Sequence, residues 1–318
     1  MRTLTETVPE ALAGERLDRA VSLATGLSRA DASALVAAGA VRLGGRPARR
    51  GSRRLNPGEL LEISIPSGEA TPTPQPDPTV PVPVAYEDGW LAVVDKPAGL
   101  VVHPGAGTPA GTLVNGLLAR YPGISAVGDP ARPGIVHRLD KGTSGLVVVA
   151  LTAEAHGGLV ALMAAHEVTR RYVALVAGLV GPDRGIVDAP LARSARQPTR
   201  MAVSGSGRAA RTHYRVVRRY ADAAVTLLAC ALETGRTHQI RVHLAAIGHP
   251  VVGDSRYGRG ARAAVAAPAG RNFLHAGEIG FAHPVTGAPV EVRSPLPPEL
   301  QAVLDGLEGP DGPEGADG

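Results

Sequence analysis

The chain has 318 residues, a net charge of +4 at pH 7 and a single cysteine, enough length for one large core and a small one, and no basis for a disulfide framework. No run approaches the roughly 20 apolar residues of a membrane span, and the N-terminus lacks the apolar region of a signal peptide, so a cytoplasmic protein with no membrane partner is expected. The charge is uneven: residues 16–54 carry nine arginines (Arg16, Arg19, Arg29, Arg42, Arg46, Arg49, Arg50, Arg53, Arg54) against two acids, Asp18 and Asp31. Arginine's planar fork grips phosphate bidentately, and neutralising phosphates releases counterions, so this segment points to a polyanion.

In chain order, Leu17, Ala20, Val21 and Leu23-Ala24 predict a helical stripe, and Ser28 an N-cap for a second helix through Ala30, Ala34, Leu35 and Val36, ended by Gly39. Val41 to Arg46 is strand, Gly-Gly turn and strand, and Leu60 to Ile65 closes a module over residues 1–66. Residues 67–83 are Pro-rich with almost no apolar residue before Val80, and predict an extended spacer. Residues 84–304 form the main domain. It opens with a hairpin over Val84 to Asp95 around Asp88-Gly89, and strand-like runs recur at Leu146 to Leu151, Tyr172 to Val176, Arg211 to Val217 and Val225 to Leu232, with helical periods after Thr152 and Thr237. Strands and helices in this order predict an α+β fold on one large sheet. Cys230 lies within an apolar run and is expected to be a buried small hydrophobe. Residues 305–318 are acidic and Gly-rich, and are expected to be disordered.

The most informative stretch is His137-Arg138-Leu139-Asp140-Lys141-Gly142-Thr143-Ser144-Gly145-Leu146. Asp140 sits among cations in a turn at the mouth of an apolar strand. There it can stay ionised and act as a nucleophile, or simply cap its own turn. This stretch resembles the signature of the RluA/RluD family of RNA pseudouridine synthases. Four further stretches agree in order: Asp95-Lys96-Pro97 to Pro104 with Gly111 to Asn115, Arg171-Tyr172-Val173 to Gly178, Glu233-Thr234-Gly235 to Leu244, and Gly248-His249-Pro250 with Gly253 to Gly258. Gly142 stands where that family often has an acidic residue. Separately, residues 14–65 resemble the small RNA-binding module of ribosomal protein S-four.

The resemblance implies a pseudouridine-synthase fold, a large mixed and mostly antiparallel sheet flanked by helices, preceded by a small α/β RNA-binding domain. It implies Asp140 as nucleophile or base, acting on the uracil ring, on the anomeric carbon or on a sugar proton. Tyr172 would stack on the flipped base, Arg241 would pair with Asp140, and Arg138, His137 and Leu274 would contact substrate, Arg138 by filling the gap the base leaves. The nine arginines of residues 16–54 would bind RNA. Without the family, Tyr172 reads as a strand aromatic, Arg241 as a helix surface residue and Leu274 as core. Isomerising uridine requires no redox step, so no cofactor is expected. No metal is expected either, since the histidines come with no Cys pair and no His-Glu-x-x-His helix. Gly105-Ala106-Gly107 lacks the Lys-Ser/Thr of a P-loop. With only 3% aromatic residues, broad stacking on single-stranded RNA is not expected. The expected partner is ribosomal RNA, most of all large-subunit RNA or an assembly intermediate, met by a monomer. The rival readings are a non-catalytic RNA-binding factor and a transfer-RNA enzyme.

Overall fold

A computed structural model describes residues 2–27, 29–65, 73–105, 107–194, 197, 199–258, 265 and 270–308. The chain divides into two compact units, Met1–Thr73 and Pro74–Gly318.

The first unit runs β1 (Arg2–Thr7), α1 (Leu17–Thr25), α2 (Arg29–Ala37), β2 (Val41–Leu43), β3 (Arg46–Pro47) and β4 (Leu60–Ile65). Its strands pair antiparallel in the order β1-β4-β2-β3. Leu17, Ala20 and Val21 share one face of α1 and join Val36, Val41, Leu55 and Ile63 in a core, because residues three and four apart lie on the same side of a helix. Leu23 does not belong to that stripe: it is 64% exposed, having rotated about 240° around the helix from Leu17. Ser28, the expected N-cap, lies outside the described residues. Strand β1 has only Leu4 as an apolar residue and so leaves no hydrophobic pattern to read; its continuous register on β4, from Arg2↔Ile65 to Thr7↔Leu60, holds it in place.

In the second unit follow β5 (Val84–Glu87), β6 (Leu91–Lys96), α3 (Leu113–Arg120), β7 (Ser144–Ala150), α4 (Ala153–Ala165), β8 (Thr169–Ala177), β9 (Arg184–Asp188), β10 (Leu191–Arg193), β11 (Met201–Val203), β12 (Arg211–Tyr220), β13 (Val225–Leu232), α5 (Gln239–Ala246), β14 (Leu274–Ala282), β15 (Pro289–Arg293) and α6 (Pro298–Glu308). One nine-stranded sheet has the order β5-β6-β7-β14-β8-β13-β12-β9, with β15 on β14. Among the described strands only the β7–β14 pair is parallel, so the α+β reading with a mixed, mostly antiparallel sheet holds. Strand β7 is buried along its whole length, as its run of Val147, Val148 and Val149 requires. Gly145 is needed at its start: with φ 112°, an added Cβ would lie 2.2 Å from the Ala276 carbonyl oxygen across the parallel pair.

Two expectations are corrected. The described part of the spacer is not extended throughout: the chain turns at 77–80, where Val80 N–H donates to Asp77 O at 3.3 Å, and Asn115 of α3 fastens the strip, donating from Nδ2 to Gln75 O at 2.7 Å and accepting at its backbone O from Asp77 N–H at 2.9 Å. Prolines leave carbonyls free to accept, so a proline-rich strip can be fastened by side chains instead of a ladder. Residues 66–72 lie outside the described residues. The tail is ordered further than expected: α6 continues to Glu308, anchored by buried Leu300 and Leu304 and by the Arg218–Glu308 pair at 2.6 Å. Residues 309–318 lie outside the described residues.

Candidate active site

The turn holding Asp140 ends where β7 begins, and a second turn supports it from below. Lys96, at the end of β6, is fully buried and donates from Nζ to Pro97 O at 2.8 Å and Leu100 O at 2.9 Å. That closes a loop whose Gly99 N–H donates to Lys141 O at 2.7 Å. Burial and the nearby Arg271 charge lower the Lys96 pKa to about 7. The Asp95-Lys96-Pro97 stretch therefore fastens the Asp140 turn.

Helix α5 brings the partner. Gln239, buried at its first turn, donates to Arg211 O and accepts from the Thr234 hydroxyl and Arg236 N–H, and this fixes where the helix starts. Two residues on, Arg241 donates from Nη1 to Asp140 Oδ2 at 2.8 Å. Its other edge is bidentate on Asp254, Nε to Oδ2 at 2.6 Å and Nη2 to Oδ1 at 2.9 Å. Asp254 is itself held by the backbone N–H groups of Arg256 and Tyr257. Burial alone would lower the Arg241 pKa, but the Asp254 hydrogen bond and both carboxylate charges carry it above the ordinary value. Burial likewise opposes ionisation of Asp254, and the Arg241 hydrogen bond overrides it, holding its pKa low. Residues 253–258 form a turn, closed by Gly258 N–H donating to Asp254 O at 2.8 Å, yet Asp254 does more than make the turn: its fully buried side chain aims the guanidinium at Asp140.

His238, which precedes α5, adopts a left-handed backbone at φ 57°. Its Nδ1 lies 2.8 Å from the Tyr257 hydroxyl and its Nε2 lies 3.9 Å from Asp140 Oδ1.

Asp140 and Arg241 face a cavity of about 740 Å³. Tyr172 on β8 and Leu274 on β14 form its buried walls. Burial pushes the Tyr172 hydroxyl up to about 12, so it stays protonated. Six arginines border the space, Arg132, Arg138, Arg170, Arg208, Arg236 and Arg241, against the carboxylates Asp140 and Glu233; a cleft of that sign concentrates polyanions. Arg138 is exposed, with Nη1 at 3.2 Å from His103 Nε2. His137 is turned inward, where its Nε2 accepts from Val148 N–H at 2.9 Å. Cys230 is buried on β13, away from this lining, its thiol pushed up to about 12 by burial.

A stability consequence follows from His137. Burial, with the Arg170 charge, lowers its pKa to about 3, and the acceptor nitrogen has no room for a proton. An unfolded histidine titrates near 6.5, so the unfolded state binds the extra proton below that pH and stability must fall as pH drops from about 6.5 towards 3. In urea melts between pH 7.5 and 4.5, His137→Gln should show a shallower acid loss than wild type, by about one proton in slope. Parallel curves would mean His137 does not titrate this way.

All of the predicted catalytic and substrate residues except Arg138 contribute partly or wholly buried side chains to this one cavity. The nine N-terminal arginines sit in the first unit and are unequal. Arg16 pairs with Asp18, Arg19 with Glu15 and Arg53 with Glu59, while Arg54 donates to Gly14 O. Arg42, Arg46, Arg49 and Arg50 are exposed and in no ion pair among the described residues. The Arg29 side chain lies outside them.

Residues 91–246 match the family model for RNA pseudouridylate synthase. The chain is 43% identical over 316 residues to ribosomal large subunit pseudouridine synthase D of Zymomonas mobilis, covering 96% of this chain and 98% of that protein. It is also 43% identical over 310 residues to the protein of that name from Xanthomonas campestris, covering 94% and 91%. Among solved structures, human RNA pseudouridylate synthase domain containing 1 superposes with a TM-score of 0.54 at 27% identity, covering 76% of this chain and all of that one. The fold, the cavity and these relatives agree, and the chain belongs to the RluA/RluD type of RNA pseudouridine synthase, an isomerase.

Proposed function

We propose that this enzyme isomerises specific uridines of large-subunit ribosomal RNA, with Asp140 as its reacting carboxylate. The observation carrying the reading is the Asp254–Arg241–Asp140 chain of hydrogen bonds, which holds one carboxylate in place at a cavity that Tyr172 and Leu274 also line. A ring atom inside a stacked helix cannot be reached, so the target uridine is flipped into this cavity and its base stacks on Tyr172. Arg138, the exposed arginine at the rim, fills the place the base vacates. His137, kept neutral behind it, fixes the wall. Asp140 acts as nucleophile or base on the ring, the anomeric carbon or a sugar proton. Large-subunit RNA is supported by the relatives named for that substrate. The test is tritium release from RNA labelled at uracil carbon five, since that hydrogen leaves when the new bond forms. Release from a large-subunit transcript, and little from small-subunit or transfer RNA, is expected; release from transfer RNA alone would overturn the substrate assignment.

The first unit, on this reading, is an RNA-binding module of the ribosomal protein S-four type. Its phosphate contacts come first from Arg42, Arg46, Arg49 and Arg50, which are exposed and in no ion pair among the described residues. Replacing these four by Gln in the full chain should lower the slope of log K against log salt by roughly 3, at about 0.7 to 0.9 per lost contact, while single-turnover conversion at saturating enzyme is kept. An unchanged slope would assign the unit another role.

A further inference from the structure

Five buried side-chain polar atoms have no hydrogen-bond partner among the described residues, and three of them, on His103, Thr143 and Arg170, belong to residues lining the cavity that holds Asp140. Buried polar groups are otherwise nearly always satisfied, so unsatisfied ones gathered at one cavity mark a place for a ligand. Arg170 is the most costly of the three. It is 7% exposed and has no carboxylate partner among the described residues. It donates from Nη2 to Glu233 O at 3.1 Å, its Nε is unpartnered, and Nη1 makes no hydrogen bond. A buried cation with no counter-charge destabilises the fold unless something else compensates it. It lies two residues from Tyr172 on β8, on the same face of the strand, about 6.6 Å along it. Gly235 passes so close above that a Cβ there would meet Nη1 at 2.7 Å, so the loop leaves the guanidinium no room to swing away.

Given the reading above, in which the flipped uracil lies on Tyr172, we propose that Arg170 donates a hydrogen bond to O4 of that uracil and stabilises the negative charge the base acquires during the reaction. The overall change breaks N1–C1′, forms C5–C1′ to the same sugar carbon, and matches the proton lost from C5 with one gained at N1. When the carboxylate displaces the base at the anomeric carbon, or removes a sugar proton to expel it, the bond's electron pair leaves on the uracil and spreads over O2 and O4. When it adds to the ring at C6, the charge appears on O4. O4 is the oxygen charged on every route. A fixed donor there is worth most in the water-poor interior, and it also selects uridine over cytidine, whose position 4 carries an amino donor. Thr143 Oγ1, free to donate or accept, can serve the adjoining N3–H.

The experiment compares wild type, Arg170→Met and Arg170→Lys in single turnover on large-subunit transcripts carrying uridine, 4-thiouridine or 2-thiouridine at the modified position, with RNA affinity and thermal melting measured alongside. Arg170→Met should lose about 100-fold or more in rate with affinity nearly unchanged, and Arg170→Lys should recover part of it. The uridine to 4-thiouridine rate ratio should change by about tenfold between wild type and Arg170→Met, and the 2-thiouridine ratio should not. Equal 4-thio ratios in both proteins would overturn the assignment and leave Arg170 as a strut for the Glu233 loop. If Arg170→Met does not fold, the same ratio is read on Arg170→Lys. Asp140→Asn serves as the reference: if it is inactive while Arg170→Met is fully active, only the Arg170 role fails. If both are active, the catalytic reading of the cavity fails with it.

Discussion

Asp140→Asn should bind RNA as tightly as wild type and form no product. Asparagine keeps the shape and can still accept from Arg241 Nη1, so the turn at the mouth of β7 and the phosphate contacts elsewhere are untouched. On the proposed reading, what is lost is the carboxylate that attacks or removes a proton. Removing the reacting group of a preorganised site costs roughly 10⁴-fold or more in rate. Filter binding and single-turnover conversion on the same RNA separate the two effects. Substantial turnover by the variant would move the chemistry to another group.

Arg241→Met should be damaging in a second way that a simple Asp140 partner would not be. The guanidinium also neutralises Asp254, whose side chain is fully buried. Taking one member from a buried pair leaves an uncompensated charge and costs about 3 to 5 kcal/mol. The expected result is a large loss of stability together with loss of activity. In the double variant Arg241→Met/Asp254→Asn the buried charge is gone, so most of the stability should return while activity stays low. Urea melts and single-turnover rates on wild type, Arg241→Met, Asp254→Asn and the double variant complete the cycle. If Arg241→Met were as stable as wild type, the Asp254 pair would contribute little to the fold.

How much of this was legible in the sequence depends on range. The strands announced by β-branched runs, Leu146 to Leu151 and Val225 to Leu232, are β7 and β13 within a residue or two. The Asp88-Gly89 turn marks the β5–β6 hairpin, and Thr152 caps α4 by accepting from Ala155 N–H. Strands made by main-chain pairing left no such trace: β1 has one apolar residue, and β14 mixes Gly, His and Glu among its apolar positions. The site behaves the same way. Asp140 stands out because its own neighbours are charged, and the structure puts Tyr172, Arg241 and Leu274 around the same cavity. Asp254 and Arg170 leave no local signal because their meaning lies in partners that are distant or missing: Asp254 meets Arg241 thirteen residues away across a turn, and Arg170 stands out because no carboxylate meets it among the described residues. The proline-rich strip looked like pure spacer because composition reports what a segment cannot bury and says nothing of the carbonyls it can offer, such as Gln75 O to Asn115.

The most direct measurement maps pseudouridines in large-subunit ribosomal RNA from cells lacking this protein, complemented either with wild type or with Asp140→Asn. The account predicts that specific large-subunit positions revert to uridine in the deletion, return with wild type, and stay uridine with Asp140→Asn although that variant is made and still binds RNA. An unchanged large-subunit map in the deletion, or full restoration by Asp140→Asn, would contradict it.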